Sequence, residues 1–362
     1  MMKPRAIPFL ISELNSDKMK GRMFFRTHWL FLWLIFLNLT AAKGQDPARK
    51  RSIFQHLTSS ELPKISLETD LTTFIANKKT NQYFPAILTT SDGKSHKIEI
   101  KSRGRYRRKV AEIPPMKLKF KKKDLLAEGL DTLNEIKLVL PCYDTDLGDE
   151  LIVKEYLAYK MFERVTAASV RAHLIRLTIR DTHVEKSKKA MLAILLEDEE
   201  ETAARMNGSI VEEFGVPTDS LIISQAALVV MFEYMIGNTD WEIAMQRNVR
   251  LIRSPSTGKI LVIPYDFDFS GLVSAPYSSP SSDSGLKTVR DRFLMSSGLK
   301  PEPLKRALGA LRSSKEEFLE LCQSRHLSRN ASEDMIRFLE TFFNQIEGKE
   351  EIPSLIKMPQ TD

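Results

Sequence analysis

Residues 219–238 read DSLIISQAALVVMFEYMIGN, and between Leu221 and Ile236 nearly every position is apolar. A helix that is apolar all round cannot lie on a surface, so other elements must enclose it on every side. Gly237 most easily takes the left-handed turn that closes a helix, which predicts the C-terminus there. With 362 residues, 42% of them hydrophobic and 28% charged, the chain has the material for such an enclosure.

The enclosing elements can be read on both sides. From about 61 to 140 the pattern has the period of strands: ISLETDLTTF, YFPAILTT, HKIEIKSRG, MKLKF and EIKLVLP, with SDGK as a hairpin-type turn. DELIVKEYLAYKMFERV then has helical spacing and begins with Asp149 and Glu150, where the helix dipole favours acids. The strands LIRLTIR and AMLAILLED follow, so one helix lies within a mainly β region. Beyond the apolar helix, NVRLIR and KILVIPYDFD flank the turn SPSTG. After a Ser- and Pro-rich loop come amphipathic helices near 301–312, 314–325 and 331–347, the last with Met335, Ile336, Leu339, Phe342, Phe343 and Ile346 on one stripe. No internal repeat is present. The expected organisation is α+β: a β-rich lobe over 61–198, then a helical lobe over 199–350 with an inserted β-hairpin, and a tail over 351–362.

The N-terminus reads as an export signal over 1–44. Lys18, Lys20, Arg22 and Arg26 precede WLFLWLIFLNLTAA, and small residues Ala42 and Gly44 stand at the cleavage-defining positions. About fourteen mostly apolar residues fall short of the roughly twenty a membrane span needs, so no transmembrane helix is expected in the mature chain. The polar preface before Met19 is long for a signal, and a start at Met19 or Met23 would give a more ordinary one. Residues 45–60 are expected to be a loose linker. The leader also explains the net charge of +7: it holds seven Lys/Arg and two Asp/Glu, leaving 47 basic against 45 acidic residues. Overall charge therefore gives no case for nucleic acid. Two cysteines, Cys142 and Cys322, are compatible with one bridge or with two buried thiols. The oligomeric state is not legible.

Chemistry concentrates in three places. In IPYDFDFSG, positions i and i+2 of a strand share a face, so Asp266 and Asp268 are expected on one side and Phe267 and Phe269 on the other. Two desolvated carboxylates repel, and a magnesium or manganese ion relieves them; a strand end reaching solvent or arginines does so as well. In GNTDWEIAMQRN, Asn238, Asp240 and Asn248 follow the buried helix directly, either as a capping turn or as functional groups. An Asp, an Asn eight residues on, a hairpin, and an Asp at its exit form the order that phosphoryl transfer uses to orient a hydroxyl and hold metal. Residues 101–123 hold eleven Lys/Arg and one Glu. There Lys117 and Lys119 share one strand face, which suits a solvated sheet face, phosphate binding or a nucleic-acid patch. Tyr106 is nearly alone among them, and single-strand binding needs interleaved aromatics.

These stretches resemble the CotH-like (spore-coat-protein-H-type) secreted atypical kinases. IEIKSRG…PPMKLKF is similar to that family's basic strand pair, LGDELIVKEYLAYKM to its helix, MLAILLED to the strand before its hinge, and GNTDW…N…VPYDFDFSG to its catalytic and metal-binding segments. The resemblance implies a two-lobed protein-kinase-like fold, with ATP and magnesium or manganese as cofactors. It implies Asp240 as catalytic carboxylate and Asn248 and Asp266 as metal ligands, with Asp268 a second metal or structural ligand. Lys119 or Lys117 becomes the phosphate-binding lysine, Glu155 its helix partner, and Glu197 and Asp198 lie near the nucleotide hinge. The expected activity is exported transfer of phosphate to a protein or small hydroxyl acceptor; the alternative is an inactive binding module on the cell surface or in the periplasm. Arg105 stands where the family has a polar residue, no glycine-rich loop is present, and the arginines of VRDRF (289–293) have no assigned role.

Overall fold

A computed structural model describes residues 50–187 and 190–347. The expected export signal and the tail lie outside the described residues. Eight strands come first: β1 (Lys64–Thr69), β2 (Phe84–Thr90), β3 (Ser95–Ser102), β4 (Met116–Lys119), β5 (Glu135–Val139), β6 (Ala172–Asp181), β7 (Lys186–Ser187) and β8 (Met191–Glu197). Threaded among them are helices α1 (Ile53–Leu57), α2 (Leu71–Ala76), α3 (Arg107–Val110), α4 (Lys122–Ala127), α5 (Asp146–Val165) and α6 (Glu199–Arg205). Then follow β9 (Ser209–Ile210), α7 (Ile223–Ile236), β10 (Val249–Arg253), β11 (Ile260–Pro264), α8 (Pro301–Ser313), α9 (Lys315–Cys322) and α10 (Arg329–Glu347), giving ten helices among the described residues.

The β region is a closed barrel. Strands pair in the order β1-β2-β3-β4-β5-β8-β6, and β6 returns to pair in parallel with β1, Lys64 opposite Arg176 and Thr69 opposite Asp181. The other ladders of this ring are antiparallel. Closure removes the two unpaired edges that an open sheet would present. Alternate residues, among them Leu67, Ile100, Leu118, Leu138, Leu177 and Leu195, fill the interior.

This overturns the two-lobed kinase-like architecture expected above. The seven-stranded ring is closed and mixed rather than an open sheet forming one lobe. It also shares a wall with the helical part. β8 is buried at every position: Ala193 and Leu195 face the barrel interior, whereas Leu192, Ile194 and Leu196 join the core formed with α5, α7 and the β10–β11 hairpin. A strand buried on both faces welds the layers, and residues 50–347 belong to one compact unit.

Smaller departures have local causes. The strand expected over 65–74 stops at Thr69, because Asp70 accepts the Thr73 N–H at 2.9 Å and caps α2. Within the expected linker, Ser52 and Gln55 form a capping box for α1, whose Ile53, Phe54 and Leu57 enter the barrel core. β11 ends at Pro264, so the two aspartates of YDFDF lie beyond the strand.

The apolar helix is α7, buried from Gln225 to Ile236 and closed by Gly237 at φ 67°. α8 and α10 pack against it, and α10 presents Met335, Leu339, Phe342 and Phe343 together with Phe338. The arginines of VRDRF serve this packing: Arg290 binds Asp334 at 2.9 and 3.0 Å, and Arg292 donates to the Met235 carbonyl at 3.0 Å. Cys142 and Cys322 are separate buried thiols.

Candidate active site at the open end of the hairpin

The hairpin brings Asn248 and Asp266 together. Val249 pairs with Pro264, and the Tyr265 N–H donates to the Asn248 carbonyl at 3.0 Å, extending the ladder by one rung. Asn248 (φ 52°) and Asp266 (φ 67°) both take left-handed backbone that neither glycine nor a turn sequence supplies here. Such conformations cost about 1–3 kcal/mol each and persist where the surroundings over-determine them. Tyr159 of α5 is one such constraint, its hydroxyl accepting the Asp266 N–H at 2.8 Å.

Asp240 joins them from the end of α7. Buried Asn238 accepts the Asp240 N–H at 3.0 Å and donates at 2.9 Å to Glu233, whose full burial holds its carboxyl far above the usual range. Asn248 in turn donates its amide to the Asp240 carbonyl (2.6 Å) and carboxylate (3.0 Å). Burial raises Asp240, and the charges of Asp266 and Asp268 raise it further against the pull of Arg247. Asp266, its side chain 36% exposed, is likewise raised by desolvation and by Asp268. Three of the sequence-predicted residues thus share one electrostatic site.

Asp268 is spent differently. It is buried and accepts from Arg107 Nε at 2.8 Å and from the Tyr277 hydroxyl at 3.0 Å. Arg107 also binds Glu155 and stands 3.8 Å from Asp266. Burial works against the Arg107 charge, yet Asp268 and Glu155 hold it well above its ordinary range. One guanidinium cannot neutralise three carboxylates, and desolvation, reinforced by Asp268 and Asp266, pushes Glu155 up to about 8. The aromatic rings of Tyr106, Phe269 and Tyr277 pack at 5.2–5.9 Å and clamp the Arg107 segment onto the YDFDF turn.

Two expected positions are therefore corrected. The helix partner of Glu155 is Arg107, not Lys117 or Lys119. Lys117 binds Glu135 at 2.6 Å and approaches Asp198 at 3.6 Å, while Lys119 lies over the Tyr83 ring at 5.1 Å. Glu197 is fully buried, its carboxylate taken by Arg205 and the Arg171 N–H, so that side chain has no reach to a ligand.

The lysine that the site does contain is Lys137 of β5. It is buried, pairs with Glu199, and lies 5.5 Å from the Tyr265 ring. Desolvation, with Arg250 and Arg103 adding to it, lowers its ammonium to about 7. Buried Arg250 also lies 5.1 Å from the Tyr265 ring, stands 3.8 Å from Glu199, and donates to Thr202 at 2.7 Å. Arg103 contributes charge to Asp266 and Lys137, and its guanidinium has no hydrogen-bond or ion-pair partner among the described residues. In the sequence, Lys137 is one charge between the apolar Ile136 and Leu138 of EIKLVLP. Arg107 was one of several cations in an undifferentiated run.

No group of three or more His, Cys, Asp or Glu among the described residues is arranged to hold a metal ion. The donors that do fit a hard divalent cation are Asp266 and the amide oxygen of Asn248, which accepts no hydrogen bond among the described residues. That is a partial oxygen shell, the kind magnesium completes with water and ligand phosphates. Among the described residues no helix is long and apolar enough to cross a membrane.

Comparison with known proteins gives little. No protein-family model matches the chain, and no curated protein does. Among solved structures, it is distantly similar to the Helicobacter pylori proinflammatory kinase CtkA: 9% identity, 57% of this chain and 85% of that one, TM-score 0.34. A likeness this slight carries neither fold nor activity across.

Proposed function

We propose that the chain is an exported phosphotransferase that uses ATP with magnesium or manganese to phosphorylate a hydroxyl acceptor, protein or small molecule. The observation that carries this reading is the meeting of Asp240, Asn248 and Asp266 at one hairpin end, faced by Arg107, Arg103 and Lys137. Two carboxylates raised chiefly by desolvation, with neighbouring carboxylates adding to it, stand beside cations and complement a phosphate-bearing ligand that brings its own metal. In this reading Asp240 orients the acceptor hydroxyl and receives its proton, a task its raised pKa favours. Lys137 and Arg103 draw the phosphates in and oppose their charge. Asp266 and Asn248 hold the cation, which when bound would neutralise phosphate charge. Asp268 and Glu155 anchor Arg107 rather than touch the ligand.

The test is nucleotide-dependent phosphate incorporation, read by mass spectrometry on the protein itself and on offered acceptors. Loss in both Asp240→Ala and Asp266→Ala is expected; undiminished incorporation in either would overturn the assignment. A second reading, a nucleotide-binding module without chemistry, is favoured by one feature: Asp268 is already occupied by Arg107 and Tyr277. A thermal shift with ATP and metal but no phosphorylated product would select it.

A further inference from the structure

Beside Asp240 lies a surface that phosphate transfer itself does not require. Residues 211–217 and 241–247 form two loops joined to each other: the Gly215 N–H donates to the Ala244 carbonyl, and Gln246 Nε2 to the Glu213 carbonyl, each at 2.8 Å. The second loop is closed on itself by paired backbone bonds between Glu242 and Arg247, both 2.9 Å. Underneath, Val211, Trp241 and Ile243 are buried and pin the pair to the core. On top, Phe214 is 67% and Met245 60% exposed. The loops are held firmly, so these two side chains are outside by construction and not through slack. An exposed aromatic and an exposed methionine on two hydrogen-bonded loops have the character of a recognition surface.

Charge says what it would recognise. The loops and their junction carry Glu212, Glu213, Glu242 and Asp240 against Arg247 alone, and Arg247 is already turned to Asp240 (3.7 Å) and Glu242 (3.5 Å). An anionic lipid surface or a nucleic acid would be repelled. A small hydroxyl acceptor would not reach two apolar side chains set outside the cleft. An extended polypeptide bearing basic residues and one large apolar side chain satisfies both features at once.

We propose that the Phe214–Met245 platform seats the acceptor, a basic polypeptide segment with an apolar anchor, and delivers its hydroxyl residue to Asp240. This deepens the phosphotransferase reading and rests on it for the delivery step, while the binding step stands separately. The experiment uses the full chain without nucleotide and a fluorescent synthetic peptide of about twelve residues containing Arg, Leu and Ser, followed by anisotropy. Wild-type protein binds it with strong salt sensitivity. Phe214→Ala/Met245→Ala weakens binding roughly tenfold or more, and so does Glu212→Lys/Glu213→Lys, while both variants keep the ATP–manganese thermal shift. Unchanged affinity in either double variant, equal binding of a peptide with Glu in place of Arg, or spermine competing as well as unlabelled peptide would each overturn the platform. If the peptide binds as expected but wild-type protein never phosphorylates it, the activity fails and the docking surface remains.

Discussion

Removing Arg107 probes how the site is held together. Among the described residues its guanidinium is the one hydrogen-bonded cation shared by Glu155 and Asp268, and all three groups are buried. Breaking a buried ion pair from one side costs about 3–5 kcal/mol, because the remaining charge loses its partner but not its desolvation. Arg107→Met should cost that much at pH 8, where buried Asp268 loses its partner and Glu155 must either ionise unpaired or take up a proton. Glu155 already sits near 8 with the arginine present, so removing the arginine raises it further. A carboxyl raised in the folded state stabilises below its unfolded value, about 4.5, and loses that contribution as pH climbs through the folded value. Near pH 5 Glu155 is protonated with or without the arginine, and its share of the cost falls to that of an unmade hydrogen bond, about 1–3 kcal/mol. Urea denaturation at pH 5, 6.5 and 8 measures this directly. A loss that is the same at all three pH values, or below about 1 kcal/mol at pH 8, would refute the picture of one buried guanidinium serving several carboxylates.

Other positions give independent checks. Lys137→Met should weaken ATP binding at least tenfold by calorimetry while leaving stability near pH 6 unchanged or higher, since a lysine lowered to about 7 costs stability whenever it must be charged; intact affinity would remove Lys137 from the site. Asp266→Asn should abolish the manganese-dependent thermal shift and flatten the fall in stability that a raised carboxyl produces with rising pH; a retained metal response would contradict its role. Gly271→Ala should destabilise by about 1–3 kcal/mol, because a Cβ there meets the Val289 carbonyl oxygen and, at 2.8 Å, the Phe338 ring. An unshifted melting curve would mean that α10 yields more easily than its packing implies.

Much of the helical part was legible because each element declares itself locally. α7 is apolar on all faces and Gly237 ends it, and the α10 stripe follows the 3.6 period. Asp240, Asn248 and Asp266 were legible as a conjunction, since a hairpin necessarily brings its two ends together. Barrel closure was not, because it depends on β6 pairing in parallel with a strand more than a hundred residues earlier, and alternation carries no information about partners. The same limit hid the roles of individual cations. Arg107 differs from Arg105 and Arg108 only in where the chain turns, and Lys137 looks like an ordinary outward strand residue until β8, α6 and the hairpin cover it. Pairing Glu155 with a lysine of MKLKF failed for this reason: those lysines lie on the barrel's outer face with Glu135 and Tyr83 as neighbours.

In the proposed phosphotransferase, Asn248 and Asp266 jointly hold the cation of a bound nucleotide. A crystal structure with a non-hydrolysable ATP analogue and manganese, located by its anomalous signal, tests it most directly. One manganese is expected at about 2.0–2.3 Å from an Asp266 carboxylate oxygen and the Asn248 amide oxygen, with the phosphates turned toward Lys137 and Arg103. Manganese bound elsewhere, or nucleotide bound away from Asp240, would contradict it.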